Sequence, residues 1–174
     1  MIIRKSKTYN LKPITSHRGF TLVELLISMG LLAIILSVLT SLFVSVIESQ
    51  LESKSISSVD QDGRFILARL SYDIHRADNV ITPSTLGGQG STLQIAIGGI
   101  TYTYGLNVNA LEITNNQGTD RINSPNTTIS NMSFTRLGNT LSGKNTIAIE
   151  FTITSTITHP RPEIRSYRTT VGIR

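Results

Sequence analysis

Between Leu25 and Ile47 this chain runs for 23 residues without one charged side chain. A helix rising 1.5 Å per residue needs about 20 such residues to cross the hydrocarbon core of a bilayer. The stretch therefore reads as a membrane span, and what remains of the 174 residues is enough for one domain beside it. One group spoils the apolar boundary. Glu24 stands immediately before the run, and an ionisable side chain in hydrocarbon costs roughly 2.5–3.5 kcal/mol on insertion scales. Such a residue calls for a partner and a purpose.

The residues leading into the span are Arg18-Gly19-Phe20-Thr21-Leu22-Val23-Glu24-Leu25. A basic leader, Gly, Phe, a Glu five residues after the Gly and then a long apolar helix resemble the processing site of type IV pilins and type II secretion pseudopilins. The resemblance implies cleavage between Gly19 and Phe20 by a membrane-embedded prepilin peptidase, with N-methylation of the freed Phe20. It also makes Glu24 the fifth residue of the mature chain, where that family keeps its glutamate.

That spacing has a physical consequence. A freed α-amine at Phe20 is cationic near neutral pH, its reference pKa being about 7.7–8.0. Within lipid, the amine of one chain and the Glu24 carboxylate of a neighbour would attract strongly, and losing either strands the other's charge. The pair is thus expected to set register when subunits assemble, with Glu24 as the assembly residue.

Charge supports the division at Gly19. Of 16 basic side chains, Arg4, Lys5, Lys7, Lys12 and Arg18 precede the cut and no acid accompanies them, leaving eleven bases to face eleven acids. The net +5 is therefore no argument for nucleic acid. It lies where it orients insertion of a single pass with the N-terminus cytoplasmic and the C-terminal domain outside, and the resemblance implies that the membrane is a bacterial inner membrane. An ordinary secretory signal would carry an apolar region of about 7–15 residues ending in small residues, whereas this run is far longer. A plain anchor leaves Glu24 unexplained. With no cysteine in the chain, disulfides and thiol chemistry are excluded.

Two patterns follow. Ala33, Ser37, Ser41, Ser45, Ser49, Ser53 and Ser57 recur at every fourth position, a small-residue row that lets helices approach closely in lipid, or a chance row in a Ser-rich segment. Beyond the span, Ile56, Val59, Ile66, Leu70, Ile74 and Ala77 form an amphipathic stripe with a jump of seven across Asp62-Gly63, where the glycine weakens the helix enough to permit a local break. The segment from Arg64 to Ala77 also resembles the helix end of J-type minor pseudopilins and W-type minor pilins, which favours a minor subunit.

Asp78–Gly90 reads as a loop. Thr92–Ile97, Ile100–Tyr104, Ala110–Thr114, Thr128–Leu137, Thr146–Ile157 and Ile164–Ile173 read as strands, with Gly98-Gly99 a two-residue turn and Asn115–Asn126 a polar loop. The expected fold is α+β: a long N-terminal helix packed on a C-terminal antiparallel sheet, as in pilins. The expected divisions are a leader (1–19), a transmembrane helix (20–47), an amphipathic helix (48–78) and a β domain (79–174).

No catalytic motif appears, and neither cofactor nor metal is expected. His17, His75 and His159 are far apart, and Asp120 alone in its loop is too little acid for calcium. Arg161, Arg165, Arg168 and Arg174 crowd the last fourteen residues, opposed only by Glu163. They could contact DNA phosphates, but read more simply as charge guarding an edge strand. The resulting expectation is a non-enzymatic minor pilin or pseudopilin of a type II secretion pseudopilus or type IV pilus. Its partners would be prepilin peptidase, other pilins, the inner-membrane assembly platform and the lipid bilayer. The alternative is a pilin-like binding subunit for DNA uptake or a secreted substrate.

Overall fold

The computed structural model describes residues 19–138, 145–158 and 161–174. The leader, the centre of the loop around Gly143 and the His159-Pro160 pair lie outside the described residues. The chain divides into two compact units, Met1–Phe43 and Val44–Arg174.

In the first unit the described chain is almost wholly helix. α1 begins at Leu22, continues through the second unit and ends at Arg76, 55 residues in all. Its start follows from Thr21, whose hydroxyl accepts the Glu24 backbone N–H at 3.3 Å while its carbonyl accepts the Leu25 N–H at 3.1 Å. That is N-cap chemistry, with an acid in the first turn where the helix dipole favours it. Every residue from Gly19 to Gln50 is exposed. Serine and threonine hydroxyls in the apolar part turn back on the helix: Thr40 donates to the Leu36 carbonyl and Ser41 to that of Val38, both at 2.8 Å. Local satisfaction of this kind lets hydroxyls sit in an apolar segment.

In the second unit α1 becomes one-sided, burying Ser55, Val59, Asp62, Gly63, Ile66, Leu70, Asp73 and Ile74. Nine strands follow: β1 (Asn79–Thr82), β2 (Gln89–Gly90), β3 (Leu93–Ile97), β4 (Ile100–Asn107), β5 (Ala110–Asn115), β6 (Gly118–Arg121), β7 (Thr127–Leu137), β8 (Thr146–Ser155) and β9 (Ile164–Gly172). All pairings are antiparallel and form two sheets, ordered β1-β3-β4-β5-β6 and β2-β7-β8-β9. The α+β pilin-like fold is therefore present, but with two sheets where one was expected. The extra strands β1, β2 and β6 lie in segments read as loops. They are short, and β2 and β6 bury no side chain, so no hydrophobic alternation announces them.

Both sheets and the helix close over one core, whose fully buried members include Ile66, Leu70, Leu93, Tyr104, Phe134, Ile149 and Phe151. The strands alternate inward and outward, most clearly in β8. Gly98 and Gly99 both adopt positive φ, 57° and 78°, as the expected tight turn requires.

Polar side chains clamp the helix to the sheets, and the hydrophobic stripe does not predict them. The Asp62 carboxylate accepts the Ser124 N–H at 2.9 Å, the Ser124 hydroxyl at 2.8 Å and the Thr127 hydroxyl. It thereby ties the connection between the two sheets to α1. Asn123, buried beside it, accepts from the Leu111 N–H and donates to the Thr127 carbonyl. Asp73 is buried as well. It accepts the Tyr104 hydroxyl and pairs with the Arg69 guanidinium at 2.7 Å. Burial, then the hydrogen bond and charge of Asp73, push the Tyr104 phenol far above its ordinary range.

No helix break occurs at Gly63. A Cβ there would stand 2.2 Å from Tyr167 Cζ, so the missing side chain is what lets α1 approach β9 closely. The Tyr167 hydroxyl donates to the Val59 carbonyl at 3.1 Å, and its ring stacks on Phe151 at 5.4 Å.

Candidate processing and assembly site

Gly19 and Phe20 lie outside the helix, and both are exposed. Phe20 is 76% accessible, and no atom lies within 4 Å of a Cβ placed on Gly19. The Gly19–Phe20 peptide bond thus stands in non-helical backbone just before the Thr21 cap. Helical backbone, with its groups already paired, is a poor fit to an enzyme that must grip its substrate's main chain. Glu24 sits one turn further on, in the first turn of α1, with its backbone donor capped by Thr21. It takes part in none of the ion pairs found among the described residues, which are Arg69–Asp73, Arg165–Asp60 and Arg165–Glu163. Gly19, Phe20 and Glu24 therefore fall within six consecutive residues around one helix start. The Thr21 cap went unread in the sequence, though Thr-x-x-Glu before an apolar run is its ordinary signature.

The flanking helix suits a partner-facing role. Its large apolar side chains from Leu22 to Val46 are all substantially exposed, and the four-residue row from Ala33 to Ser57 is exposed throughout. Among the described residues α1 is the one helix long and apolar enough to cross a membrane.

The arginine cluster is arranged differently from a phosphate-binding patch. Arg165 is engaged by Asp60 and by Glu163, the latter at 2.7 Å, and this raises its already high pKa further, the Glu163 hydrogen bond contributing most. Arg168 stands opposite Glu150 in the register of β8 and β9, an opposite-charge cross-strand position. β9 is the outer strand of its sheet, the place where charge discourages edge-to-edge pairing. Arg161 and Arg174 are exposed. Asp120 lies on exposed β6, and among the described residues no group of three His, Cys, Asp or Glu side chains is placed to hold a metal. His75 is exposed near the end of α1, while His17 and His159 lie outside the described residues.

Residues 14–40 match the model of the prokaryotic N-terminal methylation motif, and this match contains Gly19, Phe20 and Glu24. No curated protein and no solved structure matches the chain. The chain carries a type IV pilin-like N-terminal signal, joined to an α+β domain of pilin-like architecture.

Proposed function

We propose that this chain is a minor pilin or pseudopilin, a non-enzymatic structural subunit of a type IV-type filament. The observation that carries the proposal is the methylation-motif match spanning residues 14–40. The exposed, chargeless stretch from Leu25 to Ile47 agrees with it. In this reading residues 1–19 are removed by prepilin peptidase between Gly19 and Phe20, and Phe20 becomes the methylated N-terminus. Residues 20–47 hold the chain in the inner membrane as a single pass with its C-terminal domain outside. Residues 48–78 and 79–174 form the amphipathic helix and the β domain. The assembly platform and other pilins are the partners, met through the N-terminal helix.

Glu24 is the assembly residue. Exposed at the start of an apolar helix, its carboxylate lacks an ion-pair partner among the described residues. The cationic amine freed at Phe20 of a neighbouring subunit supplies one when the two helices meet in low dielectric. Glu24→Leu tests this. The variant is expected to be cleaved and inserted normally, yet to be lost from sheared filaments by tenfold or more. Incorporation at the level of the unaltered chain would contradict the assignment.

A further inference from the structure

The start of α1 is fixed by one residue. The Thr21 carbonyl accepts the Leu25 N–H and the Thr21 hydroxyl accepts that of Glu24, at 3.1 and 3.3 Å. Helical backbone therefore begins at Leu22 and leaves Gly19 and Phe20 outside it. Neither neighbour enforces that stop. Phe20 has no acceptor in its side chain and is exposed. A Cβ on Gly19 would meet nothing within 4 Å, so no packing opposes further helix there. Without an acceptor at position 21, the nearest upstream residue of a capping type is Gly19.

That alternative has a chemical consequence, because the carbonyl of an N-cap residue accepts the first intrahelical hydrogen bond. With the cap at Thr21 this carbonyl is Thr21's own, and among the described residues no backbone N–H donates to the Gly19 oxygen. With the cap at Gly19, the Gly19 oxygen would accept the Val23 N–H and lie along the helix axis. Hydrolysis of the Gly19–Phe20 bond needs that oxygen. The water oxygen bonds to the Gly19 carbonyl carbon, the C–N bond breaks and both water protons pass to the Phe20 nitrogen. A Gly19 carboxylate and a Phe20 ammonium remain. Negative charge collects on the Gly19 oxygen on the way, where the enzyme's donors must meet it. An oxygen already paired within α1 offers itself to them poorly.

We infer that Thr21 is a positioning residue for the cleavage: its hydroxyl stops α1 two residues after the scissile bond and keeps the Gly19 carbonyl free for attack. The inference rests on the processing reading above and adds to it the residue that presents the bond. Thr21 acts before the enzyme binds, by holding the chain in its cleavable form. A chain that populates its competent form only in part binds more weakly by that fraction, so loss of the cap shows in KM and not in kcat.

The test takes the full-length chain in detergent with purified prepilin peptidase and follows cleavage by intact mass. Thr21→Ala is expected to raise KM about fivefold, the worth of one cap, with kcat unchanged and the cut still between Gly19 and Phe20. Thr21→Asn has another shape but caps as well, and should stay within about twofold of the unaltered chain. The decisive variant is Thr21→Ala/Leu22→Pro. Proline suits the first helical position and keeps the residue before it out of helical backbone, so the double variant should recover the original KM with no hydroxyl at position 21. An unchanged KM in Thr21→Ala would overturn the assignment. So would a loss in Thr21→Asn as large as in Thr21→Ala, or no recovery in the double variant, since either makes Thr21 a side chain the enzyme reads directly. If the unaltered chain is not cut at all, the processing reading itself falls, and this inference with it.

Discussion

The two ends of α1 show how one helix can serve two solvents. From Leu22 to Val46 every large apolar side chain is exposed, and past Glu24 the polar exceptions are hydroxyls, two of which bond back to carbonyls one turn earlier. From Ser55 to Ile74 the helix buries a single face, and that face contains two carboxylates and a glycine. The first region obeys the rule for lipid, in which nothing need be patterned because all surroundings are apolar. The second obeys the rule for a packed core, in which each buried polar group needs a named partner. A lone carboxylate therefore means different things in the two regions. Asp62 and Asp73 have their partners inside the domain, whereas Glu24 finds no ion partner among the described residues.

Substitutions sharpen that contrast. The largest effect is expected from Leu70→Ala, which empties a fully buried site. It should cost about 2–5 kcal/mol in urea unfolding followed by circular dichroism. Leu39→Ala, on the exposed stretch, should leave the same transition in place. Asp62→Ala comes next, at about 2–3 kcal/mol, because it orphans a backbone N–H and two hydroxyls at once. Asp62→Asn, which keeps an acceptor, should lose less.

Gly63→Ala tests a sign. In an exposed helix the change gains about 1 kcal/mol. Here the Tyr167 ring occupies the new methyl's place, and about 1–2 kcal/mol should be lost instead. Combining it with Tyr167→Ala should restore the ordinary gain relative to Tyr167→Ala alone.

The pH dependence follows from Tyr104. Its folded pKa is raised above the ordinary 10.0, first by burial and then by Asp73. Its contribution is thus complete below the unfolded value and is lost as pH climbs beyond it, because the unfolded chain ionises first. Urea midpoints should fall through the ordinary tyrosine range, and less steeply in Tyr104→Phe. The smallest effect is expected from Arg165→Ala. Its side chain is 41% exposed in a solvent-screened pair with Asp60 and Glu163, so the urea midpoint should barely move.

What could be read in the chain depended on which force wrote it. The apolar span and the six longer strands are legible because hydrophobicity leaves a long run or a period of its own, and the Gly19-Phe20…Glu24 spacing because it resembles a known processing motif. β1, β2 and β6 are not, since strands of two to four residues with little to bury have no room for alternation. Gly63 looked like a weak point in the helix because its reason, Tyr167, lies more than a hundred residues away. Asp62 was the missed opportunity. It falls three residues after Val59 and four before Ile66, squarely inside the seven-residue gap of the stripe. Helical geometry alone places it on the buried face.

The account as a whole turns on the freed amine of Phe20. Intact-mass and N-terminal fragment analysis of the chain recovered from its native membrane tests it most directly. The predicted result is a polypeptide beginning at N-methylated Phe20 and lacking residues 1–19. A retained leader, or a start at any other residue, would contradict it.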